Sequence, residues 1–94
     1  MKEEDIGLSE ESLQLLSNIR LYRRMVVSDK DSEPLRRFKL LSPAGEMHYY
    51  ENGRVHYGAM WGVSSRGHRL LTLDDKNVKK CLTIWAKQDG LLDE

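Results

Sequence analysis

The chain has 94 residues, 39% of them hydrophobic and 32% charged, and a formal net charge of zero. That length suits one domain, residues 1–94, and not two, and the composition is that of a globular chain rather than a disordered one. No apolar run approaches the roughly 20 residues that span a bilayer. Met1-Lys2-Glu3-Glu4-Asp5 lacks the basic start and apolar stretch of a secretory signal. A cytoplasmic protein without membrane association is therefore expected. Cys81 is the only cysteine, too few for an internal disulfide or a cysteine-based zinc site, which fits a reducing compartment.

The neutral total hides an uneven spread. Residues 1–18 carry Lys2 against five carboxylates, whereas residues 19–70 carry ten Lys or Arg against five carboxylates and hold all three histidines. A neutral whole argues against non-specific nucleic-acid binding, which depends on neutralising phosphates. The basic middle leaves room for a local anionic contact.

In chain order, the first predicted element is a helix. Ser9 is a good N-cap, Glu10 and Glu11 suit the positive end of a helix dipole, and Leu8 with Leu13 has the spacing of a hydrophobic staple. Leu15, Ile19, Tyr22 and Val26 recur on one helical face, so the helix is read through about residue 24. The alternative for residues 21–27 is a short strand, because Val26 and Val27 are β-branched. Ser28 to Pro34 is read as a loop, Leu35 to Leu41 as a strand, and Ser42-Pro43-Ala44-Gly45 as a turn.

The clearest local signal follows. Met47 to Glu51 and Arg54 to Tyr57 flank Asn52-Gly53, which supplies the two positive φ values of a type I′ hairpin turn. That register sets Glu51 against Arg54, Tyr50 against Val55, Tyr49 against His56, and His48 against Tyr57. Residues 68–73 read as a fourth, short strand. The last helix is capped by Asp74, with Leu73 and Val78 as a staple and Val78, Cys81, Leu82 and Trp85 on its apolar face. Gly90 stops it in a Schellman-type end. The expected fold is α+β in two layers: an N-terminal helix, a three- to four-stranded antiparallel meander and a C-terminal helix.

Strand alternation barely separates the two hairpin faces. Val55, Tyr57, Ala59, Trp61 and Val63, with Tyr50 and His48, form the more apolar set and are assigned to the core. Tyr49, Arg54, His56 and Met60, with Met47, are then the exposed face. Phe38 and Leu40 join the core set only if the turn before Met47 has an odd number of residues, since a one-residue slip reverses the faces.

The face carrying Tyr49, Arg54, His56 and Met60 mixes aromatic, cationic and thioether groups, the types enriched at protein interfaces. It equally fits the half-wet side of an ordinary sheet. Arg20, Arg23, Arg24, Arg36, Arg37 and Lys39 flank the residue 28–34 segment, and Ser64 to Arg69 adds Arg66 and Arg69. Together these are the candidate anion or nucleic-acid site, set against a solvated face paired with Asp29, Asp31 and Glu33. His48, His56, His68, Tyr49 and Arg54 include the residue types of a metal-independent nuclease. His48 and His56 fall on opposite faces, however, so no catalytic residue is assigned. No pair has a recognised metal-ligand spacing, and no cofactor or metal is expected.

The segment Gly45-Glu46-Met47-His48-Tyr49-Tyr50-Glu51-Asn52-Gly53 resembles one unit of the MORN-type hairpin repeats, which carry a Tyr-Tyr-x-Asn-Gly turn. It does not recur in the chain, and the resemblance implies a hairpin. The reading is a small non-enzymatic protein-interaction module of bacterial or phage accessory or inhibitor type, bound to a protein partner. The alternative is a nucleic-acid-binding accessory protein using the basic middle. Partner identity and self-association stay open.

Overall fold

The structure is a computed structural model and describes residues 1–92. A single 3₁₀ turn at Glu3–Asp5 leads into α1 (Glu10–Tyr22). Ser9 caps α1 as expected, its side chain accepting the Ser12 backbone N–H at 3.1 Å. The buried stripe is Leu16 and Ile19, with Leu13 and Leu15 at its margin. The expected face is therefore rotated, and Tyr22 is exposed. Both readings of residues 21–27 hold in part. Helix ends at Tyr22, Arg23 turns the chain at φ +71°, and β1 (Met25–Val26) follows as a two-residue strand.

The predicted loop at 28–34 is instead the start of α2 (Asp29–Arg37). Ser28 caps it by accepting the Asp31 N–H at 3.1 Å, and Asp29 and Arg36 place opposite charges at the ends the dipole favours. Pro34 lies inside this helix and removes one backbone donor. Two features offset that loss. Leu35 is fully buried, and the buried Ser32 hydroxyl donates to the Asp29 carbonyl while accepting from Arg36 Nε at 2.9 Å.

The predicted strand at 35–41 is likewise corrected, because Leu35 to Arg37 is helical and Phe38 caps it. Lys39, at φ +59°, ends α2 in the left-handed region. The Leu40 N–H then reaches the Leu35 carbonyl at 3.0 Å and the Lys39 N–H reaches Arg36 at 2.9 Å, which is the bond pair of a Schellman end.

β2 (Leu41–Glu51) and β3 (Arg54–Val63) form the hairpin in the expected register, from Glu51 opposite Arg54 to His48 opposite Tyr57. Asn52 and Gly53 have φ values of +53° and +74°, as a type I′ turn requires. Ser42 to Gly45 is not a turn. Pro43 pairs with Trp61 and Glu46 with Ala59, so one extra residue on β2 makes a bulge there. Pro43 is tolerated because β2 is an edge strand. The three strands are antiparallel in the order β1-β3-β2, with Met25 opposite Trp61 and Val26 opposite Met60.

The predicted fourth strand is a helix, α3 (Ser65–Leu70). Ser64 caps it by accepting the Gly67 N–H at 3.2 Å and donates to the Lys39 carbonyl at 2.6 Å. α4 (Asp75–Gln88) buries Val78, Leu82, Trp85 and Ala86. Asp74 holds the N-cap position without a side-chain hydrogen bond. At the other end the Leu91 N–H meets the Ala86 carbonyl at 2.8 Å, the Gly90 N–H meets Lys87 at 3.2 Å, and Gly90 has φ +72°. The molecule is thus α+β: helices at both ends of the chain around a three-stranded antiparallel sheet. Its core joins Leu16, Ile19, Leu35, Phe38, Leu40, Leu70 and Leu82.

Candidate functional site

The hairpin leaves the core. No residue from Ser42 to Met60 is buried, and the molecule measures 48 × 27 × 20 Å. This overturns the core assignment of the odd-numbered face of β3. At the root of the hairpin, Trp61 and Val63 do pack against the core. Further out, Tyr50 is 81% exposed, Tyr57 67% and Val55 45%. A two-stranded ribbon that runs beyond the core has nothing to pack against at its tip. The alternation that marks a buried face in a full sheet carries no such meaning there.

The result is an arm with an aromatic group on each side. On one side the His48 and Tyr57 rings meet edge to face, 4.4 Å apart at 70°, beside Tyr50 and Val55. On the other, Tyr49 stacks on His56 at 5.4 Å and 17°. Of the four residues expected to form the partner face, Tyr49, Arg54 and His56 lie on the arm, while Met60 is half-buried where β1 pairs with β3. Gly58 gives Val26 room on that side, since a Cβ at Gly58 would run into the Val26 side chain. The four residues do share one face, and that face is the better covered of the two. Sequence reasoning missed the more exposed group, Tyr50, Val55 and Tyr57, because their apolar character was read as burial. Beyond Ala59, whose carbonyl accepts the Val27 N–H at 3.3 Å, both edges of the arm are unpaired among the described residues: β2 pairs only with β3, and β1 pairs with β3 at Met60 and Trp61.

Several members of the basic cluster have partners within the fold. Arg36 is tied to Ser32 and the Asp29 carbonyl and lies 5.8 Å over the Trp61 ring. Arg37 pairs with Glu33 at 2.7 Å. Arg66 grips Asp89 at 2.7 Å and covers the Trp85 ring at 5.3 Å, and Lys39 approaches the same carboxylate at 3.6 Å. The hydrogen bond from Arg66 holds the Asp89 carboxyl below its ordinary pKa, and Asp89 in turn raises that of Arg66. The charges of Arg69 and Arg66 reach Cys81, whose thiol is nevertheless pushed up by burial. Arg23 and Arg24 are exposed. Of the eight candidate cations, Arg36, Arg37 and Arg66 thus have close partners within the fold, and Lys39 has a longer, exposed one.

The histidines do not converge: His48 and His56 occupy opposite faces of the arm and His68 lies on α3. Among the described residues no group of three His, Cys, Asp or Glu side chains could hold a metal ion, and no helix is long and apolar enough to cross a membrane. No family model matches the chain, so the likeness of Gly45–Gly53 to a MORN-type unit carries no function, and no curated protein or solved structure matches it either.

Proposed function

We propose that this protein is a small interaction module that engages a protein partner through its hairpin arm. One observation carries the reading: Tyr50, Val55 and Tyr57 are exposed together on a ribbon with unpaired edges. An isolated two-stranded hairpin is marginally stable in water, and exposed aromatic surface on such an element is worth most when a partner covers it. Free backbone edges also allow a partner strand to add to the sheet, with the tyrosines flanking the added strand. The nucleic-acid alternative is weaker, because half of the eight basic side chains it needs have partners within the fold.

Site-specific photocrosslinking tests the proposal. A photoreactive residue in place of Tyr50 should trap a protein in cell extract, and nuclease treatment should leave the adduct intact. The double change Tyr57→Ala and Val55→Ala should abolish it without altering the circular dichroism spectrum. A reactive group at Lys87, on the far end of α4, should trap nothing comparable. An adduct that disappears with nuclease, or equal labelling from both positions, would count against a protein-binding arm.

A further inference from the structure

At the root of the arm, α1, β2, β3 and α3 surround a hollow of about 260 Å³. Arg20 and Arg23 line it from the end of α1, Ser42 from β2 and His68 from α3, and no carboxylate lines it. The volume falls below the roughly 300–1,000 Å³ typical of sites for drug-sized ligands, so a small group would fill it. Among the described residues, Arg20, Arg23 and His68 have no ion pair, in contrast to Arg37 and Arg66.

The end of a helix favours one nearby cation through the backbone dipole, and Arg20 in the last turn of α1 meets that need. Arg23 is different. It lies past the helix, at φ +71° and ψ −37°, a backbone state that glycine or asparagine adopts with less strain. Gly62 packs against it closely, since a Cβ there would lie 3.2 Å from the Arg23 carbonyl oxygen. A second arginine therefore lines the hollow with the first, on backbone packed against the sheet at Gly62.

We infer that this hollow binds a phosphate dianion, free or as the monoester of a small molecule. Guanidinium forks match phosphate oxygens in bidentate fashion, and the Ser42 hydroxyl and a His68 ring N–H add further donors. The donors arrive from three separate elements. That arrangement suits a tetrahedral group accepting on several sides better than a planar carboxylate. A monoester also offers three terminal oxygens where a nucleic-acid diester offers two. The inference is independent of partner binding by the arm.

Backbone-amide NMR titration of the whole protein tests it, with inorganic phosphate, a nucleoside 5′-monophosphate, acetate and a short single-stranded oligonucleotide at matched ionic strength. Saturable shifts at residues 20–23, 42, 62 and 68 are expected with both phosphates and not with acetate. Tighter binding of the monophosphate would identify a phosphorylated small molecule as the ligand, and equal binding would identify free phosphate. The double variant Arg20→Gln, Arg23→Asn should weaken phosphate roughly tenfold or more, the scale of losing a charge-assisted hydrogen bond. Arg54→Gln, at the far end of the arm, should not change it. Should the double variant unfold, Arg20→Gln and His68→Gln alone should each weaken binding several-fold. The inference is overturned by absent saturation, by equal binding of acetate, by unchanged affinity in the folded variants, or by an oligonucleotide that binds more tightly than the monophosphate.

Discussion

Asp89 caps α4 with a carboxylate at the end of the helix where the backbone dipole disfavours negative charge. Arg66 from α3 and Lys39 from the end of α2 offset that cost, and the Asp89 side chain is only 10% exposed. One residue thus ties three segments together. Asp89→Asn should lower stability by about 1–3 kcal/mol, the range for a hydrogen bond between charged groups, read as a fall in denaturation midpoint. The pH dependence has a definite sign. Because Arg66 lowers the folded pKa of Asp89, its contribution is complete above the unfolded value, about 3.9, and is lost as pH falls through the folded one. The gap between wild type and Asp89→Asn should be constant near neutrality and close below about pH 4; a gap that persists in acid would mean that the ion pair is not its source. Gly67 is a second decisive residue. Alanine in a helix is ordinarily favoured over glycine by about 1 kcal/mol, but a Cβ at Gly67 would run into the Leu40 carbonyl and the Val63 side chain. The carbonyl belongs to backbone and cannot swing away, so the clash should win. Gly67→Ala should cost at least about 2 kcal/mol, while Gly7→Ala, which meets open space, should leave the melting temperature unchanged or slightly raised.

At the scale of elements, what was legible in the sequence was what depends on neighbouring residues alone. Asn52-Gly53 fixed the hairpin register, and Ser9 and Gly90 marked where α1 begins and α4 stops. α2 was not legible because its signals conflict. Six consecutive polar residues from Ser28, followed by Pro34, read as loop, whereas the helix depends on Leu35 and Phe38 reaching a core assembled from distant parts of the chain. Its stop was hidden too, since Lys39 takes a left-handed position where glycine is the usual marker. The same substitution of an unexpected residue yields a prediction. Lys39→Gly removes the Cβ penalty of positive φ and forfeits only an exposed, 3.6 Å contact with Asp89. Stability should rise by up to about 1 kcal/mol, visible as a higher denaturation midpoint; a fall would show that the Lys39 side chain matters more than its backbone. α3 was missed for a related reason. Its short apolar pattern fits strand or helix equally, and only the Ser64 cap and the close fit of Gly67 beneath Leu40 decide between them.

At the scale of the whole molecule, a body with one core carries an arm without any. Faces on that arm could not be sorted from sequence because alternation reports burial only where another layer exists. The hollow at its root was equally hidden, since Arg20 with Arg23, Ser42 and His68 lie on three stretches that only the fold brings together. This division predicts a division in stability. Backbone hydrogen bonds from Glu46 to Tyr57 lie in a segment without a buried residue, so their amides should exchange through local fraying at a small fraction of the global unfolding free energy. Amides of α1 around Leu16 and Ile19, and of α4 around Leu82 and Ala86, lie under fully buried side chains and should exchange only with global unfolding. Tyr50→Ala and Tyr57→Ala should leave the second group unchanged, because exposed substitutions usually fall within about 0.5 kcal/mol. Trp61→Ala should accelerate both, because Trp61 joins the root of the arm to the core. A bound partner that covers the arm should slow exchange at 46–57 while leaving α4 as it was. Uniform protection of arm and body in the free protein would show that the tyrosines support the fold, and the interaction surface would then have to be sought on the body.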